Sequence, residues 1–399
     1  MARADAGSTG SPGAAAPRPG RVLMTADTQG GVWTVALELA GALSRAGVAT
    51  VLAIMGGPLS PAARAAAAAI PGLELVESAY RLEWMDDPWD DVAAAGDWLL
   101  DLEERVRPDL VHLNGYCHAA LPFRAPRVVV AHSCVLSWWR AVHRRPAPVR
   151  YERYRARVAE GLRAADAVVA PSAAMLSALA GEYGALGLGR GHVIPHARDR
   201  RRFAPAPKEP FVFAAGRLWD EAKNLAALER VAPHLAWPVL VAGSDVAAGG
   251  VGRRAGESLC SLGWVDEPEL TWWMSRAAIY ASPARYAPFG MATLEAALSG
   301  CALVVGDLPS LREIWRDAAV YVPADDPRAL HAALDHLIRD VARREALGAL
   351  ARRRAVRFSP RAMARRYLDV YALALAARPP APRRVCPPSS PSPCGTPCE

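Results

Sequence analysis

Lysine is almost missing from this chain. Only Lys208 and Lys223 stand among 47 basic residues, so the net charge of +7 rests on arginine. Codon preference explains most of that arginine, and attraction to an anionic partner is the functional alternative. No apolar run reaches the roughly 20 residues that a membrane-spanning helix needs. Aromatic residues make up 7% of the chain and no compact arginine-aromatic face stands out, which argues against nucleic-acid binding. No complete G-x-G-x-x-G run opens a helix, so a dinucleotide cofactor is disfavoured. The seven cysteines lack metal-ligand spacing. Cys117, Cys134, Cys260 and Cys301 lie in apolar surroundings and read as small core residues. Cys386, Cys394 and Cys398 lie in a Pro/Ser-rich stretch. An odd cysteine count without an apolar leader points to the cytoplasm.

What is present is a long alternation of strands and helices in 399 residues. The ends differ from the middle. Residues 1–20 are rich in Ala, Gly, Ser and Pro, and residues 378–399 hold eight prolines; both read as disordered tails. About 350 residues remain, more than one hydrophobic core usually serves. Strand candidates 21–26, 48–55, 73–76, 110–113, 128–131 and 167–170 form a first series. A second series follows at 211–214, 239–242, 261–264, 278–282, 302–305 and 319–322. Near-continuous apolar strands between helices predict parallel sheets covered on both faces. The expected architecture is α/β, with two Rossmann-like domains facing across a cleft. Residues 21–195 form the first and 196–359 the second, with a helix at 360–377 returning to the first.

Chemistry concentrates at the carboxyl ends of the strands. Arg217 follows the strand that ends at Gly216, and Lys223 precedes a helix that Asn224 is placed to cap. Two cations at one sheet mouth suit a diphosphate leaving group, whose charge grows as its bond to a sugar breaks. Pro288-Phe289-Gly290 opens a helix whose free N–H groups and dipole favour an anion. Glu295 lies little more than a turn further, among apolar neighbours, and so needs a partner; ribose hydroxyls would serve. Gly30-Gly31 makes a tight strand-to-helix turn in the first half. His132 follows a strand, with His112 and His118 as weaker candidates, and Trp138 and Trp139 suit either an acceptor site or core packing.

The segment from Ala287 to Gly300 resembles the signature of family 4 retaining glycosyltransferases, which have the GT-B architecture. The family reads glutamate, proline, phenylalanine, glycine, with a second glutamate eight positions after the first. Pro288, Phe289, Gly290 and Glu295 match, and Ala287 stands where the first glutamate belongs. The match continues through Gly300 and residues 309–314, and more weakly from Arg21 to Ala377. By this resemblance Arg217 and Lys223 are catalytic, with His132 near the donor sugar. Gly30, Gly31, Gly216, Val265, Phe289, Gly290, Met291, Leu294 and Glu295 bind the donor, the segment at Val265 reading the base through its backbone.

The resemblance implies transfer of a sugar from a nucleotide sugar, with retained configuration, to a saccharide, lipid-linked or small-molecule acceptor. The chain contains no D-x-D triplet, so neither a metal nor another cofactor is expected. Two alternatives stand beside this reading: a nucleotide-sugar-binding protein with little turnover, suggested by Ala287, and another GT-B chemistry such as epimerisation. The clusters Arg352-Arg353-Arg354 and Arg140 to Arg145 allow peripheral contact with anionic membrane, although solvated faces are the commoner explanation.

Overall fold

The computed structural model describes residues 17–28, 30–185, 187–244 and 256–377. The readings of residues 1–16 and 378–399 lie outside these. The expectation of disorder to residue 20 fails at its end. Pro19 is buried, Gly20 N–H donates to Asp109 Oδ2 at 2.7 Å, and Gly20 O accepts from Ala49 N.

The first sheet comprises β1 (Arg21–Asp27), β2 (Ala49–Met55), β3 (Leu73–Glu77), β4 (Leu110–Leu113), β5 (Arg127–Val130), β6 (Ala167–Ala170) and β7 (Gly191–Val193). Its order is β3-β2-β1-β4-β5-β6-β7, with parallel pairing throughout. The second comprises β8 (Glu209–Ala215), β9 (Val239–Ala242), β10 (Cys260–Gly263), β11 (Ala277–Ser282), β12 (Ala302–Gly306) and β13 (Val320–Val322). Its order is β10-β9-β8-β11-β12-β13, again parallel. β7 was not expected. Three residues with a polar His192 at the centre carry too little apolar pattern to be read as a strand.

Burial explains the all-apolar strands. One face of the first sheet packs against the helices Gly31–Arg45 and Pro360–Ala377, through Val35, Leu39 and Leu43 on one and Tyr367 and Tyr371 on the other. The opposite face takes Leu99, Leu102, Tyr154 and Leu162 from two further helices. The second sheet is covered likewise, by Leu294, Leu298 and Trp315 on one side and Leu228, Leu334 and Leu337 on the other. Cys260 departs from its expected place in a core: it is exposed on β10.

The strand orders set the position of the site. Each sheet reverses its direction of winding between two central neighbours, β1 and β4 in the first and β8 and β11 in the second. Helices after those strands diverge to opposite faces and leave a crevice at the carboxyl edge. Gly30-Gly31 follows β1, Gly216-Arg217 follows β8, and the Met291–Leu298 helix follows β11.

Candidate active site

The two crevices meet. A Cβ built on Gly30, at φ +98°, would lie 3.6 Å from Arg217 Nη1, and one on Gly31 would lie 3.6 Å from Met291 Cγ. The bare backbone of the first domain therefore approaches both the arginine and the helix start of the second. Gly216, at φ +149°, lies under Lys223, whose Cε would be 3.2 Å from a Cβ there.

Asp220 organises the two cations, and sequence reading missed it. It is 5% exposed. Its carboxylate receives Arg217 Nη2 at 2.9 Å, the Ala222 N–H at 3.0 Å and, from the other domain, Trp138 Nε1 at 3.1 Å. Arg217 also lies over the Trp219 ring, 5.3 Å from its centroid. Burial holds the Lys223 ammonium below its ordinary pKa; Arg217 pushes the same way and Asp220 opposes both. One carboxylate beside two cations leaves net positive charge, which an anionic ligand would relieve. Asn224 has another role than the expected cap. It adopts φ +57°, and its side-chain amide donates to Pro283 O at 2.9 Å and Ala324 O at 2.7 Å, joining two loops of the second domain.

The helix Met291–Leu298 begins behind Gly290, which takes φ +88° and leaves the first N–H groups without a side-chain cap. Met291 is half-buried beside Gly31. Phe289 and Leu294 are 2% and 0% exposed, so their side chains serve the core rather than a ligand. Val265 packs, half-buried, against the same core.

Glu295 already has a protein partner. Its Oε1 lies 2.9 Å from Nε of Arg198, a residue of the linker between the sheets. The two charges touch, but the Nε–H does not point squarely at the oxygen and Nε has no aligned hydrogen bond. Arg198 is 2% exposed and also reaches Glu38 Oε1 at 3.1 Å and Glu267 Oε2 at 3.0 Å. Burial would lower its pKa, but Glu295, Glu267 and Glu38 outweigh that and raise it. Burial raises the Glu295 carboxyl above its ordinary value while Arg198 pulls it down. Nothing in the arginine-rich run 198–202 marked Arg198 as different from its neighbours.

His132 sits within a chain of buried polar groups. Asn114 Nδ2 donates to Thr25 O at 2.6 Å, which orients its Oδ1 as an acceptor. That oxygen lies 2.7 Å from His132 Nε2 and 3.1 Å from His112 Nε2, so both rings carry the proton there. His112 Nδ1 then accepts from Tyr371 Oη at 2.6 Å, on the returning helix. His132 Nδ1 accepts from His196 Nε2 at 3.2 Å, and the two rings stack with centroids 4.9 Å apart. His196 Nδ1 is left buried without a hydrogen-bond partner. Burial keeps all three rings neutral, with His112 pulled down to about 4, His196 to about 3, and His132 well below its ordinary range. Both His132 nitrogens are therefore used inside the protein. His118 stands outside this chain of contacts: its Nε2 donates to Val92 O at 3.0 Å, and it lines a small cavity with Asn114.

Several bonds join the two domains beside the site. Tyr286 Oη accepts the Cys134 N–H at 3.1 Å, and Ser172 Oγ donates to Pro288 O at 2.7 Å. Ala287 is fixed through its carbonyl, which accepts from Ser310 Oγ at 2.6 Å. Trp139 is buried against His143 and Tyr151, a packing role.

Two family models match the chain: "Glycosyltransferase Family 4" over residues 29–202 and "Glycosyl transferases group 1" over residues 209–340. Alpha-maltose-1-phosphate synthase of Mycolicibacterium smegmatis is 26% identical over 290 residues, covering 63% of this chain and 74% of that protein. D-inositol 3-phosphate glycosyltransferase of Thermobispora bispora is 35% identical over 111 residues, covering 27% of this chain and 26% of that protein. Among solved structures, sucrose-phosphate synthase of Thermosynechococcus elongatus has a TM-score of 0.75 at 18% identity, covering 90% of this chain and 99% of that one. Anabaena HepE, solved in complex with UDP-glucose, has a TM-score of 0.67 at 15% identity, covering 90% and 99%. With its two parallel sheets, opposed crevices and matches across both halves, the chain belongs to the family 4 glycosyltransferases of GT-B fold.

Proposed function

We propose that this protein transfers a sugar from a nucleotide sugar to a hydroxyl-bearing acceptor, with retention of configuration and without a metal ion. The meeting of the Gly30-Gly31 turn with Arg217, Lys223 and the Met291–Leu298 helix start carries the reading. A diphosphate there faces two cations and free N–H groups. The bond from the sugar to the β-phosphate breaks as the acceptor oxygen attacks from the same face, and the departing phosphate oxygen takes the acceptor proton. Arg217 and Lys223 stabilise the charge that accumulates on that phosphate. No proton step falls to His132, whose nitrogens are engaged; it would offer the sugar its neutral ring. Glu295 would hold ribose hydroxyls. The acceptor would enter on the first-domain side, where Thr25, Asp27, Arg81, Glu83 and Asn114, with Met55, Leu82 and Trp84, line a small cavity of about 40 Å³.

UDP-glucose is the first donor to test, because HepE binds it. Transfer should survive strong chelation, and the product anomer should match the donor. Loss with a chelator and recovery with manganese or magnesium would defeat the metal-free reading. Ala287 supports the rival of a binding protein: binding without turnover in the wild type, with transfer created by Ala287→Glu, would establish that rival instead.

The proposal extends to the cytoplasm and the membrane surface. Among the described residues no helix is long and apolar enough to cross a membrane. A groove of about 650 Å³ is lined by Arg200, Arg201, Arg352 and Arg353, of which Arg201 is paired with Asp199. Such a surface suits anionic headgroups. Co-sedimentation with phosphatidylglycerol vesicles at low salt, lost at high salt, is expected; absence of low-salt binding would remove this part.

A further inference from the structure

Arg198 belongs to neither sheet, yet it binds both domains. Glu38 lies on the Gly31–Arg45 helix, behind the glycine turn of the first domain, while Glu295 and Glu267 lie on two helices of the second. The guanidinium is 2% exposed, and the side chains of Glu38 and Glu295 are each 10% exposed. One buried cation therefore stands among three carboxylates, and one of those is the group assigned to the nucleotide ribose.

A planar guanidinium presents five donors in a rigid fork and meets several carboxylates at once in fixed directions. Arg198 uses Nε, Nη1 and Nη2 on three different partners. Its contact with Glu295 is to Oε1. That contact holds positive charge against one oxygen of the carboxylate and leaves Oε2 outside it. Arg198 N–H donates to Phe358 O at 3.3 Å and the next N–H, of Asp199, donates to Glu38 Oε1 at 3.2 Å, so the linker backbone is held as well.

We infer that Arg198 is a positioning residue for nucleotide recognition: its charge lies against the Glu295 carboxylate assigned to the ribose, and it ties that carboxylate through Glu38 to the glycine turn that approaches the phosphates. The inference rests on the assignment of Glu295 to the ribose.

The charges facing Glu295 set the test. They are Arg198 from the linker, Glu267 from its own domain, Glu38 from the other domain, and the Tyr280 hydroxyl of β11, with Arg202 at the rim on Glu267. Burial already raises Glu295, and Arg198 is the group in contact that opposes it. Without Arg198, burial and two like charges act together and the carboxyl takes a proton at higher pH. A protonated Glu295 loses its charge-assisted bonds to the ribose. Affinity that depends on the carboxylate is present above its pKa and lost as pH falls through it, so the loss should come at higher pH in Arg198→Met.

UDP-glucose serves as the probe, because its diphosphate is esterified at both ends and does not titrate near neutrality. Its affinity for the wild type and Arg198→Met is measured by calorimetry from pH 8.5 down to 6, with unfolding curves confirming that both are folded. The ratio of wild-type to variant affinity should grow as pH falls, by up to about tenfold per unit of separation between the two titrations. Arg198→Lys restores a charge but not the three-way contact; it should be weaker than wild type with a nearly flat ratio. Should Arg198→Met not fold, Glu38→Gln is the second probe. It keeps Arg198 and removes a competing carboxylate, so the loss should move to lower pH than in the wild type. A ratio independent of pH in Arg198→Met, or an upward shift in Glu38→Gln, overturns the inference. Unchanged affinity in Glu295→Gln overturns the ribose assignment and this inference with it; a weakened Glu295→Gln beside a pH-independent Arg198→Met ratio overturns this inference alone.

Discussion

At the scale of single residues, Arg217 and Lys223 stand beside one carboxylate. They share Asp220, so the site keeps a surplus positive charge at the place where a diphosphate would gain negative charge. Arg217→Ala and Lys223→Ala should each lower kcat by about 100- to 1,000-fold, the usual cost of removing one transition-state stabiliser. Near-normal turnover at saturating donor in either variant would remove that residue from the mechanism. Lys223 adds a pH signature. Its ammonium is held below its ordinary pKa by burial and by Arg217, so the useful charge is present at low pH and lost as pH rises through the depressed value. The alkaline limb of kcat/KM should accordingly move to higher pH in Lys223→Arg, whose guanidinium does not deprotonate.

At the scale of elements, two turns depend on glycine for separate reasons, one beneath the phosphate site and one at the far end of the Gly31–Arg45 helix. Gly243, after β9, takes φ +147°, and a Cβ there would fall 1.7 Å from Gly216 O. Alanine must therefore push apart the turn that carries Arg217. Gly47, closing the Gly31–Arg45 helix at φ +81°, has no atom within 4 Å of its would-be Cβ. Gly47→Ala should cost only backbone strain, roughly 1–2 kcal/mol. Gly243→Ala should cost more than that, with strain alone on the order of 1–3 kcal/mol, and should lower kcat by displacing the cations. Denaturant titration of both variants checks the order, and equal losses with unchanged turnover would contradict it.

At the scale of the whole molecule, three neutral histidines bury a pH dependence in the fold. His112, His132 and His196 all lie well below their ordinary value of 6.5, chiefly through burial. The unfolded chain takes up protons near 6.5 that the folded chain refuses. These groups therefore leave stability unaffected above that pH and reduce it as pH falls toward about 4, by roughly 1.4 kcal/mol per unit for each histidine. Unfolding midpoints measured between pH 7 and 5 should fall, and His112→Gln should reduce the slope. An unchanged slope in that variant would show that His112 titrates normally.

Much of this protein is written along the chain. Apolar runs such as Val128-Val129-Val130 repeat between helices because a parallel sheet buried on both faces requires them, and most strands among the described residues follow from that pattern. Pro288, Phe289, Gly290 and Glu295 mark a helix start and its carboxylate because local spacing alone places them. What stayed hidden are relations between residues far apart in sequence. Asn114 joins His112 to His132, Trp138 reaches Asp220 across the cleft, and Arg198 gathers Glu38, Glu267 and Glu295. Each joins groups on separate elements whose distance is set by how the sheets wind and how the domains meet. Local composition decided which elements form and where they end. Tertiary packing decided that Glu295 faces an arginine and that both nitrogens of His132 are engaged, because burial makes an unpaired polar group costly and the fold alone determines which partner is near enough.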